Sequence, residues 1–164
     1  MTRVTIADFL TPERVLLNVR ARDKAHLIGD IARAFERPAT GLAAERVEAS
    51  LMARERLGST GLGAGFALPH ARIEGLDRFT GLFMRLAKPV AFDAIDGKPV
   101  GLVFGLLIPA AGEIPHVGAL AAISRVFRDA AFVASLRQAT TPAEAFRLLT
   151  GGGEITGPTG SRLV

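Results

Sequence analysis

Apolar residues recur at helical spacing from Lys24 to Arg37, where Leu27, Ile28, Ile31, Ala32 and Phe35 share one stripe. Asp23 is placed to cap the start of this helix and Pro38 to stop it. A second helix is expected over Ala43–Arg56, closed by the C-terminal glycine Gly58, which puts Arg54 in its last turn. Beyond a glycine-punctuated stretch the pattern changes. Gly81–Ala87 (GLFMRLA) and Pro99–Ile108 (PVGLVFGLLI) are short apolar runs suited to strands, and Val100–Ile108 has the continuous hydrophobicity of a buried central strand. Between them, Asp93–Gly97 (DAIDG) is turn chemistry. Helical spacing returns over Ile114–Arg128, with Val117, Leu120, Ala121, Ser124 and Phe127 along one face and His116 at the N-terminal end. Thr141-Pro-Ala-Glu144 carries a capping-box pattern with proline at the first helical position, opening a last helix through Leu149. Helices mixed with short strands predict an α/β or α+β layered fold. The residues after Gly151 have almost no capacity for burial, which predicts one domain over residues 1–150 and a flexible tail over 151–164.

Composition narrows the function classes. A chain of 164 residues can bury a full core as a single domain. It has no cysteine, so thiolate chemistry, zinc–thiolate sites and disulfides are excluded, in keeping with a reducing, cytoplasmic setting. No apolar run reaches membrane-spanning length, and the N-terminus MTRVTIADFL lacks a secretory pattern, so a soluble protein without membrane insertion is expected. The net charge of +4 and the pI of about 10.6 raise the question of nucleic acid. The basic residues are nearly all arginine, are scattered among Asp and Glu, and have no Trp or Tyr beside them for base stacking. No nucleic-acid partner is expected, only a modest bias toward acidic or phosphorylated groups.

The candidate chemistry lies in RERLGSTGLGAGFALPH, Arg54–His70. Glycines 58, 61, 63 and 65 allow turns closed to other residues, and Pro69 fixes φ just before His70, so the main chain sets the direction of the imidazole. A ring held this way suits nucleophilic or proton-transfer chemistry, although a tight turn with a half-buried histidine is the commoner meaning of such a stretch. Arg54 and His116, just after Pro115, complete a candidate trio; a solvated helix-end charge and a hydrogen-bonded cap are their plainer roles. Together the three would suit phosphoryl transfer: a neutral imidazole attacks, a guanidinium binds the phosphoryl oxygens, and a second histidine steadies them, with no metal or cofactor required. A P-loop would need a Gly-Lys-Ser/Thr ending that GLGAGFALPH lacks. A metal hydrolase built from His70, His116 and Asp93 or Asp96 has no close ligand pair to start from, and Ser59 in GSTG lacks the flanking pattern of a nucleophile elbow.

Several motifs in order resemble the fructose/mannitol-type enzyme IIA domains of the bacterial phosphoenolpyruvate-dependent phosphotransferase system, nearest the stand-alone nitrogen-regulatory subgroup. They are DFLTPERVLLNV near the N-terminus, RE-x-LGSTGLG-x-G-x-ALPH at Arg54–His70, FDAIDGKPV at Phe92–Val100 and VFGLLIP at Val103–Pro109. The resemblance covers roughly residues 1–150. It implies an α/β sandwich with a mixed central sheet flanked by helices. It also implies that His70 accepts a phosphoryl group from an HPr-type histidine phosphocarrier, that Arg54 binds the phosphoryl oxygens, and that His116 is the second histidine. The sequence departs from the pattern in reading HVGAL where His-Leu-Gln usually stands, and in having Ala64 for asparagine and Ala71 for glycine. The expected role is a phosphoacceptor that regulates target proteins, a sensor kinase or a potassium transporter among the candidates. The alternative is a sugar-specific IIA component that passes the group to a IIB domain.

Overall fold

The computed structural model describes residues 5–37, 41–111 and 116–151, with the side chain of residue 116 excepted. The expected tail therefore lies almost wholly outside the described residues. Strand β1 (Val15–Val19) is followed by α1 (Lys24–Phe35) and α2 (Ala44–Arg56). Three short strands come next: β2 (Gly61–Gly63), β3 (Phe66–Ala67) and β4 (His70–Ile73). The long strands β5 (Thr80–Val90) and β6 (Val100–Pro109) lead into α3 (His116–Val126), α4 (Ala130–Gln138) and α5 (Pro142–Gly151).

The sheet is mixed, in the order β1-β5-β6-β3-β2, with β4 also paired to β6. Strand β6 organises it. It runs antiparallel to β5 and parallel to both β3 and β4, which lie in one register along the same edge: Phe66 faces Leu102, Ala67 faces Val103, and His70 faces Leu106. Both faces of β6 are covered, as its unbroken hydrophobicity predicts. Val103 and Leu107 pack with Leu27, Ile28, Ile31 and Phe35 of α1 and Val47 and Leu51 of α2. Leu102, Phe104 and Leu106 face Ile123 of α3, Leu136 of α4 and Leu149 of α5. The result is a helix–sheet–helix sandwich with a mixed central sheet, as the resemblance implies.

Two helical expectations need correction. The helix expected over Ile114–Arg128 is α3, and its core face is Ala119 and Ile123, continued by Phe127 just beyond its end. Val117, by contrast, is 67% exposed. The reason is aromatic packing: Phe127 stacks on Phe66 with ring centroids 4.1 Å apart and an interplanar angle of 7°, which turns the Val117 side outward. Helix α4 was not expected at all. Its N-cap Asp129 accepts from the amides of Ala131 (3.0 Å) and Phe132 (3.2 Å), and Arg85 of β5 donates to the carbonyls of Leu136 and Ala139 at its far end. At α5, Thr141 Oγ1 accepts from the Glu144 amide as expected, but the Glu144 carboxylate accepts from Thr140 rather than from the cap residue itself.

The β2–β3 turn carries three consecutive residues in the left-handed region, Gly63 (φ 101°), Ala64 (φ 56°) and Gly65 (φ 81°). Alanine there costs roughly 1 kcal/mol or more, whereas asparagine tolerates the conformation. Ala64 is exposed, so a larger side chain meets no steric bar. Ala64→Asn is expected to raise stability by about 0.5–1 kcal/mol in urea unfolding; an unchanged or lower midpoint would contradict a left-handed Ala64.

Candidate functional site

His70 opens β4, and its placement follows from the parallel edge of β6. Along that edge successive peptide groups alternate in direction. The Pro69 carbonyl accepts from the Leu106 amide of β6 at 3.0 Å, so the Leu68 peptide groups face away. The Leu68 amide donates to the Thr60 carbonyl at 2.9 Å. The Leu68 carbonyl lies 2.9 Å from Nδ1 of His70. A carbonyl oxygen only accepts, so Nδ1 is the donor and carries the proton, and the lone pair of the neutral ring resides on Nε2. The ring is half-buried.

One cleft of about 430 Å³ brings the expected pair together: Arg54 and His70 both line it, with Ser50, Leu57, Ala71 and Ile108 among its walls. Arg54 lies in the last turn of α2, as expected, and its Nη1 donates to the Gly58 carbonyl at 2.9 Å. A cation is well placed there by the helix dipole. His116 is the first residue of α3, but its side chain is outside the described residues, and so is any relation of it to the cleft. Arg72 also lines the cleft and escaped the sequence reading. The available signal was the strand period of two, since in HARI residues 70 and 72 share a face while Ala71 and Ile73 are buried. Both charged residues beside His70 in the described lining are arginines, an arrangement suited to an anion. Leu57, 82% exposed, adds an apolar rim.

The loops around this cleft are tied to one another. Ser59 Oγ donates to the Phe92 carbonyl at 2.8 Å, and the Ile95 amide donates to the Gly61 carbonyl at 3.2 Å. Gly61 leaves no room for a side chain, because a Cβ there would sit 2.8 Å from that of Ala94. The carboxylates considered as metal ligands are engaged elsewhere. Asp93 lies 3.5 Å from Nζ of Lys24, and Asp96 accepts from the amides of Ala64 (2.9 Å) and Lys98 (3.0 Å). His26 sits in the first turn of α1, where its Nδ1 accepts from the Arg22 amide.

A sequence model of the family described as "Phosphoenolpyruvate-dependent sugar phosphotransferase system, EIIA 2" matches residues 8–151. The chain belongs to this family. Among curated relatives, the IIA domain is 38% identical over 132 residues to a nitrogen regulatory protein of Bradyrhizobium diazoefficiens, covering 80% of this chain and 86% of the relative. It is 36% identical over 146 residues to a nitrogen regulatory protein of Pseudomonas aeruginosa, covering 89% and 95%. Its structure is similar to the crystal structure of nitrogen regulatory protein IIA-Ntr from Neisseria meningitidis, with a TM-score of 0.83 and 36% identity over 88% of this chain and 99% of that one. No helix among the described residues of the IIA domain is long and apolar enough to cross a membrane.

The two amide hydrogen bonds hold the carboxyl of Asp96 below its ordinary range, the Ala64 amide most of all. A depressed folded value means that the contribution to stability is complete above the unfolded value of about 4 and is lost as pH falls through the folded one. Asp96→Asn is therefore expected to flatten part of the loss of stability as pH falls below about 4 in urea titrations. Identical pH slopes for the two proteins would contradict the anchoring of the β2–β3 turn by Asp96.

Proposed function

We propose that this IIA domain is a nitrogen-regulatory phosphoacceptor: His70 takes a phosphoryl group from an HPr-type phosphocarrier, and target proteins read the phosphorylation state. The observation that carries this reading is the Nδ1–H···O=C hydrogen bond of His70 in a cleft shared with Arg54 and Arg72. The Nε2 lone pair attacks phosphorus while the bond from phosphorus to the carrier's ring nitrogen breaks. The electron pair of that bond returns to the carrier's imidazole. The proton on Nδ1 stays in its bond to Leu68, which steadies the positive charge that the ring gains. Phosphoryl transfer asks its protein mainly for positioning and charge stabilisation. Arg54 is assigned the phosphoryl oxygens, Arg72 a share in the same field, and His116 an accessory contact to the transferred group. Exposed Leu57 gives a carrier protein apolar surface to bury beside the reacting atoms.

The regulatory reading is supported by the names of relatives 36% and 38% identical to this chain, which are nitrogen regulatory proteins. Phosphorylation adds net negative charge and acceptor oxygens to a surface of arginine and apolar residues, so a partner docked there gains or loses affinity.

Incubation with phosphoenolpyruvate, enzyme I and an HPr-type carrier is expected to give an acid-labile phosphoprotein, and His70→Ala none. Arg54→Ala is expected to slow labelling about a hundredfold while the protein remains folded. His116→Ala should slow it less than His70→Ala does. Labelling of His70→Ala at the wild-type rate would refute the acceptor assignment. Rapid onward transfer to a fructose- or mannitol-type IIB domain would replace the regulatory reading by the sugar-uptake one.

A further inference from the structure

Among the described residues the buried polar side chains are two, Glu55 and Thr60, and they bond to each other. The Glu55 carboxylate accepts from the Thr60 amide at 3.2 Å and also from Thr60 Oγ1. Its side chain is 3% exposed, and its counter-charge is Lys24 Nζ at 2.9 Å, from the first turn of α1. Lys24 in turn lies 4.6 Å above the ring centroid of buried Phe92. An ion pair this deep is weak evidence of stabilisation, because desolvation offsets most of the attraction and an apolar pair of similar volume would fill the space as well. What the carboxylate does achieve is geometric. It fixes both donors of Thr60, whose carbonyl accepts from the Leu68 amide at 2.9 Å, and the Leu68 carbonyl accepts from Nδ1 of His70 at 2.9 Å. Four links therefore run from α1 to the imidazole: Lys24 to Glu55, Glu55 to Thr60, Thr60 to Leu68, and Leu68 to His70.

We propose that Glu55 is a positioning residue that, through Thr60 and Leu68, holds His70 in the Nδ1–H tautomer and so keeps the reactive lone pair on Nε2. The assignment rests on His70 being the phosphoacceptor. An imidazole released from this carbonyl samples both tautomers, and only one of them presents Nε2 as a nucleophile. The peptide at Leu68–Pro69 is the weak point that needs support. Pro69 has no N–H to give to any neighbour, so the peptide group carrying the Leu68 carbonyl is held at its oxygen end only. The Thr60 bond to the Leu68 amide fixes the same residue from its other side. The pairing of Arg54 with Glu55 thereby acquires a physical reason: one residue faces the transferred group, and the next anchors the nucleophile from beneath.

The test is a long-range nitrogen–proton NMR spectrum of the His70 ring in unphosphorylated protein at about pH 8, where histidine is neutral, together with the rate of phosphoryl acceptance. Wild type is expected to show a protonated Nδ1 and an unprotonated Nε2. Glu55→Gln removes the charge at nearly constant shape, and Thr60→Val removes the hydroxyl while keeping volume. Both are expected to yield ring nitrogen shifts averaged between tautomers and acceptance about tenfold slower, with thermal unfolding still cooperative. Thr60→Ser should restore both readouts. Folded variants that keep the wild-type ring shifts would overturn the proposal, and so would slower transfer with an unchanged tautomer. Averaged shifts in the variants of a protein that accepts no phosphoryl group would keep the positioning of the ring and refute only the acceptor reading.

Discussion

The hydrogen bond from Nδ1 of His70 to the Leu68 carbonyl is the contact on which the functional geometry turns, and it exists because of where the sheet runs out. Strands β3 and β4 lie in one register along β6, and the Leu68-Pro69 step between them breaks the ladder. The amide and carbonyl of Leu68 both point away from β6 at that step: the amide donates to the Thr60 carbonyl, while the carbonyl, in the next peptide group, accepts from the imidazole of His70. Satisfaction of a carbonyl on buried Leu68 and selection of a tautomer are thus the same event. His70 stands on a strand parallel to the deeply buried β6, so its position is better fixed than it would be on a loop.

Around this ring the chain arranges positive charge. Arg54 comes from the end of α2 and Arg72 from the next position on the same face of β4, so two guanidinium groups reach the cleft from different elements. Neither requires the sheet to move. The FDAIDG segment contributes from the other side, with Asp96 holding the Ala64 amide and Phe92 taking the Ser59 hydroxyl, so the glycine-rich stretch is braced at several points. Left-handed residues at positions 63 to 65 let it turn sharply enough to enter β3. The dense glycine content of this region is a response to crowding at Gly61 and to backbone sign at Gly63.

Much of this was legible in the sequence because local patterns decided it. The stripe of α1, the cap at Asp23, the buried run of β6 and the placement of Arg54 in a last helical turn all follow from spacing and capping chemistry. What could not be read was set by tertiary contact. The face of α3 depends on Phe127 finding Phe66, a partner some sixty residues away in the chain. Helix α4 is defined as much by Arg85 on β5 as by its own residues, and the short pairing of β2 with β3 has too few residues to leave a periodic signal. Arg72 was overlooked because HARI is too short to announce a strand without its neighbour β6. Glu55 was hidden by its company: a glutamate between two arginines at a helix end has the pattern of a solvated charge, and only the fold shows it buried against Thr60.

The central claim is that Nε2 of His70 receives the phosphoryl group while Nδ1 stays bonded to the Leu68 carbonyl. Nitrogen–phosphorus coupling measured by NMR on uniformly labelled phosphoprotein tests it most directly. The account predicts coupling to Nε2 of His70 with Nδ1 still protonated. Coupling to Nδ1, or to a nitrogen of another histidine, would contradict it.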